Sequence, residues 1–261
     1  MSHTIGAGNF VSWDGGCLFI SSRGENIVPV HAHYATQVAF GSEHGLRFRP
    51  TERDEWTAYE GAVIASRQPH SMDSTQVPFC AVLFVEPETR EGRAINQKFG
   101  HAGLTAFEAA SLAGAGQALF SAWQEKRTRD AVVSAAREVV QVLAGGIGPV
   151  VSTDERILRA TSYIRNNLGR TLTLEAVAGE ACLSPSRFRH LFVEETGMAL
   201  RPYILWRRFL HVWDLLAAGS SLSSAAHAAG FADAAHLTRT SRQMFGFPPS
   251  ALQVARPLQV H

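Results

Sequence analysis

The sequence predicts an α+β protein: a small N-terminal β-barrel or sandwich followed by helices, then an all-α C-terminal domain. Three observations carry this. Residues 10–86 hold short apolar runs punctuated by Gly, Pro, Asp and Ser, with no helical periodicity. From Thr153 onward, apolar residues recur at spacings of three and four between helix caps and glycine stops. The length of 261 residues also exceeds what one core commonly organises.

Taken in order, the runs Cys17–Ile20, Ile27–Val30, Gln37–Phe40, Gly61–Ala65 and Phe79–Val85 read as strands. After Pro87–Thr89 the pattern turns helical. Leu104–Gln124 reads as an Ala- and Leu-rich helix broken by glycines, and Asp130–Ala144 as a cleaner one. The latter carries a broad apolar face of Val132, Val133, Ala136, Val139, Val140 and Leu143. Gly145–Pro149 stops it and marks a linker. The domains expected are therefore a sensor barrel over 1–100, a helical dimerisation segment over 101–145, a linker over 146–153 and a helical domain over 154–261.

In that last domain Asp154–Leu168 is periodic. Thr173 caps Leu174–Ala181, and Ser184 caps a helix with Pro185 at its first position. Gly197 ends it, Tyr203–Ala218 runs to Gly219, Ser224–Ala229 ends at Gly230, and Asp233 caps the helix that reaches Phe245. Seven helices in a compact bundle are expected.

Charge divides along the same line. The chain as a whole is only +1, but residues 153–261 carry twelve Arg, no Lys and eight acidic residues, a net +4 that leaves −3 for the rest. A basic, arginine-only domain beside a mildly acidic one suits a polyanion partner. The three cysteines, Cys17, Cys80 and Cys182, have no ligand-like spacing and read as buried thiols. No apolar run approaches the ~20 residues of a membrane span, and no basic-then-apolar leader opens the chain, so the cytoplasm is expected.

Two stretches, Leu183–Phe192 and Gly230–Phe245, each follow a short helix and a tight turn with a capped second helix. In the first, Phe188, Leu191 and Phe192 turn inward and leave Ser186, Arg187, Arg189 and His190 outward. In the second, Leu237 and Phe245 turn inward and leave Ala234, Ala235, His236, Thr238, Arg239 and Arg242 outward. Exposed helices bearing Arg suit a major groove, where Arg pairs bidentately with guanine.

At these residues the chain resembles the AraC family of transcription regulators. The matching motifs are LTLEAVAGEACLSPSRFRHLF, ETGMALRPYILWRRF, AAHAAGF, LTRT and FGFPPSAL, spread over Thr153–Leu252. The resemblance implies a sequence-specific regulator with two reader helices entering successive major-groove segments of double-stranded operator DNA. It also implies RNA polymerase as a contact. The apolar stripe of Asp130–Ala144, by its place after the barrel and before the linker, reads as the helix of a homodimer, with ordinary core as the alternative. Ser186, Arg189 and His190 would face bases from the first reader, and Ala234, Ala235, His236 and Arg239 from the second. Ser241 and Ala225 depart from the family, which has larger apolar residues there. They predict a looser core around the second reader, unless repacking by Met244 or Phe231 compensates, and a first reader that dominates specificity.

Upstream, His31 and His33 share a strand face, Gln37 keeps their parity, and His70 follows Gly61–Ser66. This pattern resembles the cupin motifs, with Gln37 where the family has Glu and a second motif one residue short. The resemblance implies a barrel in which His31, His33 and His70, with Gln37 as a weak neutral fourth ligand, hold a divalent Zn, Fe, Ni or Cu ion. A metal-free pocket for a small effector and a purely structural cluster remain alternatives. No general acid–base pair stands beside these histidines, so no enzyme is expected. The class alternatives are a cupin metalloenzyme tethered to a DNA-binding domain, and a regulator without an effector.

Overall fold

The computed structural model describes residues 6–22, 27–41, 45–100, 103–145, 153–254 and 258. β1 (Gly6–Trp13) and β2 (Gly16–Ser22) form a hairpin whose turn places Gly15 at φ +95°, a conformation side chains resist. There follow β3 (Val28–His31), β4 (Thr36–Gly41), β5 (Leu46–Arg49), β6 (Thr57–Tyr59), β7 (Gly61–Ile64), β8 (His70–Asp73) and β9 (Phe79–Val85). α1 (Arg90–Phe99) is capped by Thr89, and β10 (Leu104–Phe107), α2 (Ala115–Ser121) and α3 (Arg129–Ala144) complete the first half.

The strands form two sheets. One has seven strands in the order β10-β7-β4-β9-β2-β1, closed at its edge by β11 (Leu252–Val254) from the far end of the chain. The other has four, in the order β3-β8-β5-β6. The sheets do not join into one continuous hydrogen-bonded barrel among the described residues. β9 explains how two cores coexist. All seven of its residues are buried, because neither face meets water. Cys80, Val82 and Phe84 face the core shared with the four-stranded sheet and the C-terminal helices, while Phe79, Ala81, Leu83 and Val85 lie under the helices of the first half.

Leu104–Phe107, expected to open a helix, is instead a strand paired antiparallel with β7. Its short Leu- and Ala-containing run carries little local preference, so edge pairing decides. The rest of that segment is a 3-10 turn, the short α2, and a π-helical turn over Ala122–Lys126.

The apolar face of α3 is also corrected. Val132, Ala136, Val139, Val140 and Leu143 are buried in the chain's own core with β9 and α2, so this stripe is not free to receive a second copy. The expected linker, 146–153, lies outside the described residues except for Thr153. There the Thr153 hydroxyl donates to the Glu88 carbonyl.

The C-terminal half contains α4 (Glu155–Asn166), α5 (Leu174–Glu180), α6 (Pro185–Thr196), α7 (Leu200–Ala217), α8 (Leu222–Ala228) and α9 (Ala234–Phe245). That makes six α-helices among the described residues rather than seven, with a 3-10 turn at Pro249–Ala251. Each predicted cap is present, Thr173, Ser184 and Asp233 accepting from backbone N–H groups of the first turns they precede, and Asp154, expected inside its helix, caps α4 in the same way. Cys17 and Cys80 are buried as expected, but Cys182 is exposed in the turn before α6.

The two halves share a core. Trp213 of α7 meets Phe10 and Phe19 of the β1–β2 hairpin, and Trp206 meets Tyr34 and Phe84. Within that apolar contact sits a buried ion pair. Glu86, at the end of β9, accepts from Arg207 Nη1 and from Trp206 Nε1 at 3.2 Å. Nearby, Tyr34 donates to Glu88 at 2.7 Å, and burial together with Glu86 pushes the Glu88 carboxyl up to about 7. Arg93 of α1 reaches Glu195 of α6 at 2.6 Å.

Candidate nucleic-acid interface and histidine cluster

α6 forms because Ser184 caps it, Pro185 supplies the φ of its first turn, and Gly197 at φ +72° ends it. Its inward face is Phe188 and Phe192, fully buried and stacked on one another at 5.1 Å. That fixes the rotation of the helix, and Ser186, Arg187, Arg189 and His190 are left exposed. α9 is fixed in the same way by Leu237, Ser241 and Phe245, all buried, with Asp233 as its cap. Ala235, His236, Arg239 and Arg242 are exposed and Ala234 is half-buried. Thr238 is half-buried too, its hydroxyl turned back to the Ala234 carbonyl at 2.7 Å. Thr238 is thus occupied by its own helix. α7, buried along Trp206, Phe209, Leu210 and Trp213, is the frame between the two reader helices.

The loose core expected around the second reader is not seen. Ser241 is fully enclosed and its hydroxyl donates to the Phe247 carbonyl at 2.8 Å. Ala225 is also fully buried, and Phe231 fills the space nearby by stacking on Phe209 at 5.1 Å. A hydroxyl here ties α9 to the segment after it, which an apolar side chain would not do.

The histidines converge as the strand pattern predicts. β3 and β8 pair with His31 opposite His70, His33 follows β3, and Gln37 lies across on β4. One ligand atom from each imidazole lies within 4.8 Å of the others. Each ring is oriented by a backbone carbonyl. His31 Nδ1 meets Pro29 O at 2.9 Å, His33 Nδ1 meets Ala35 O at 2.8 Å, and His70 Nδ1 meets Gln68 O at 2.9 Å. A carbonyl only accepts, so the Nδ1 of His31 and of His70 carries the hydrogen and their Nε2 offers a lone pair. His33 faces an acceptor at each nitrogen, the Ala35 carbonyl at Nδ1 and Gln37 Oε1 at 2.8 Å from Nε2, so its Nε2 is free to ligate only with the Gln37 amide turned over. His70 Nε2 is buried with no hydrogen-bond partner.

Burial keeps the rings neutral. It lowers His33 to about 3, with His31 adding to the effect, and His70 to about 2, with His33 and His31 adding. It lowers His31 in the same direction. Neutral imidazoles with Nδ1 tied to carbonyls and Nε2 converging match the outer-shell arrangement of metal-ligating histidines. The residues therefore fit a metal ion.

The cluster borders a cavity of ≈60 Å³ walled by both halves of the chain: His31, Gln37, Met72 and Phe84 from the sheets, Phe245 and Phe247 from the reader half. Phe84 meets the His33 ring edge-on at 4.7 Å and Phe245 at 6.3 Å. Sequence reasoning found the histidines but missed Met72, Phe245 and Phe247 as wall residues, and missed Glu86, Glu88 and Arg207. An apolar strand running directly into Glu-Pro-Glu was the available signal.

Residues 177–254 match a family profile described as a helix-turn-helix domain. No curated protein matches the sequence significantly. Among solved structures, an apo variant of ToxT from Vibrio cholerae strain SCE256 superposes with a TM-score of 0.60. It is 10% identical, over 94% of this chain and 98% of that one. Wild-type ToxT of the same strain, with unsaturated fatty acid bound, gives 0.56 at 12% identity, over 92% of this chain and 93% of that one. ToxT of Vibrio cholerae O395 with a methylnaphthyl-butenoic acid bound gives 0.53 at 12% identity, over 93% and 97%. At these identities the likeness is one of fold, and it extends through both halves.

Proposed function

We propose a function from one premise: through its helix-turn-helix half, this chain belongs to the AraC family of transcription regulators. Its readers are α6 and α9. The observation that carries this is the pair of capped, internally anchored helices whose exposed faces bear Arg187, Arg189, His190, His236, Arg239 and Arg242. Arg189 and Arg239 are the base-reading residues of this proposal. Arg187 and Arg242 contact phosphates, and Ala234 and Ala235 meet thymine methyls. Replacing Arg189 by Ala is expected to cost about 1–3 kcal/mol on the cognate site and much less on random DNA. A gel-shift comparison of the two, on the intergenic DNA flanking the gene, decides it. Equal loss on both sequences makes Arg189 a phosphate contact.

The N-terminal half holds the effector. ToxT binds a fatty acid. The cavity beside the histidines, at ≈60 Å³, is far below the roughly 300–1,000 Å³ that enclose a drug-sized ligand, and with three imidazoles gathered at its edge it favours a metal ion with at most a very small co-ligand. A second cavity of ≈550 Å³, lined by Phe40, Phe79, Leu112 and Phe120, has the size for a small organic effector. The ion would be held by His31, His33 and His70, with Gln37 supporting His33. When bound it would supply a fixed point joining β3 to β8. Footprinting of that DNA with metal-stripped and metal-loaded protein tests the sensor reading. Identical footprints and identical affinities count against it.

A further inference from the structure

We propose that the three-histidine cluster selects a monovalent soft ion, copper(I), over the divalent ions. This rests on the metal-holding reading above and names the ion class for that site. The argument begins with charge. Every donor the site offers is neutral: one imidazole nitrogen each from His31, His33 and His70, and, on the wall of the cavity that His31 shares, the Gln37 amide and the Met72 thioether. Met72 lies two residues past His70 on β8, opposite Val28 of β3, and its sulfur is 4.0 Å from Gln37 Nε2.

The nearby carboxylates are committed elsewhere. Asp73, next to Met72, pairs with Arg47. Glu86 is held by Arg207 and Trp206, and Glu88 accepts from Tyr34. Cys80 also walls the cavity, but among the described residues the group whose ligand atoms lie within 4.8 Å of one another is His31, His33 and His70, without that thiol.

The surroundings are apolar as well: Phe19, Val28, Phe84, Phe245 and Phe247 wall the space. The cost of moving an ion from water into such a medium grows with the square of its charge, so a divalent ion costs about four times a monovalent one. No anionic ligand stands ready to offset that difference. A divalent ion would have to bring its own hydroxide into ≈60 Å³. Copper(I) needs no anion, and imidazole with thioether is a donor set that suits it. Gln37, where a carboxylate would have lowered the cost of a divalent ion, is then the residue that sets the preference.

The test is an anaerobic titration of the metal-stripped full chain with copper(I) against bicinchoninate, run beside zinc(II), cobalt(II) and nickel(II). We expect one copper(I) per chain, undisturbed by a tenfold excess of zinc(II) (about 1.4 kcal/mol of mass action), and no cobalt(II) d–d band. His70→Ala should weaken copper(I) binding by at least about 100-fold and Met72→Leu by about 10-fold, in the range found when metal-site groups are removed. His31→Ala, at the half-exposed edge of the cluster, guards against a His70 variant that fails to fold. Its melting curve reports folding independently. Displacement of copper(I) by zinc(II) one for one overturns the proposal. So does copper(I) affinity unchanged in Met72→Leu and in His31→Ala. Zinc(II) or nickel(II) binding without copper(I) leaves the metal site standing and removes only the ion preference. If no ion binds tighter than micromolar, the metal site falls too.

Discussion

Acid titration of the metal-stripped protein offers a direct measure of how the cluster is buried, with His70→Gln as the perturbation. His70 is fully enclosed and its folded pKa is held down to about 2, by burial first and then by His33 and His31. In the unfolded chain an imidazole titrates near 6.5. The sign follows from that order. Below 6.5 the unfolded state takes up a proton that the folded state refuses, so stability is complete above 6.5 and is lost as pH falls towards the folded pKa. Between pH 7.5 and 5.0 the unmatched uptake spans about 1.5 pH units, or about 2 kcal/mol from His70 alone. Because the window ends well above the folded pKa, this figure depends only on the unfolded value.

Glu88 acts in the opposite direction. Its pKa, raised to about 7 by burial and Glu86, means that falling pH relieves a penalty rather than creating one. It is present in both proteins and cancels in the difference. Urea unfolding at both pH values, for wild type and for His70→Gln, should therefore show a loss on acidification about 2 kcal/mol smaller in the variant. Parallel stability curves for the two proteins would refute a buried, neutral His70.

Other expectations follow from single contacts. Glu86→Ala leaves Arg207, 9% exposed, without its carboxylate and should cost about 3–5 kcal/mol in chemical denaturation, whereas Glu86→Leu with Arg207→Met should recover most of it. Ser241→Ala should cost about 1 kcal/mol for the bond to Phe247, and Ser241→Leu about 1–3 kcal/mol from overpacking, both read from melting curves. Gly246→Ala, at φ +77° and with its added Cβ 3.0 Å from Val28 Cγ1, should reduce any metal-dependent change in amide exchange along α9 while leaving metal affinity within about 3-fold, a small effect on the tenfold-per-1.4 kcal/mol scale.

What the sequence disclosed depended on whether local chemistry or distant partners shaped each element. The reader half was legible because its signals are local: Ser184, Thr173 and Asp233 cap helices within three residues of themselves, and Gly197 and Gly246 end them. β2, β4, β7 and β9 were legible as apolar runs. β8 was missed because its residues, HSMD, turn polar groups inward: Asp73 finds Arg47 only across on β5, while His70 Nε2 and the Ser71 hydroxyl stay buried without a hydrogen-bond partner. β6 is an exposed edge of three residues with no pattern to read. Glu86 and Arg207 lie 121 residues apart, so nothing near either announced a buried pair. The apolar face of α3 was visible, but its partner was not. A stripe that suits a second copy suits the underside of a sheet equally well, and only the packing of β9 decides between them.

On the proposed function, the same geometry favours the second reader as the one the cavity influences. The expectation from Ser241 and Ala225 was that the second reader is loosely packed and adapts to DNA. The contacts give it a different character. Gly246, the C-cap of α9, sits so close to β3 that an added Cβ would lie 3.3 Å from the Pro29 carbonyl, and that carbonyl is the one that orients His31. Ser241 holds Phe247, whose ring walls the cavity. Fixing His31 with an ion therefore fixes the surface on which the end of α9 rests. Among the described residues α6 lines no part of the cavity, and its Glu195 meets the N-terminal half at Arg93 of α1. On that proposed function, an effector at the cluster would bear on Ala235, His236 and Arg239 before it bears on Arg189. The asymmetry between the readers would then be one of regulation, with α6 supplying standing affinity and α9 making that affinity conditional on what the histidines hold.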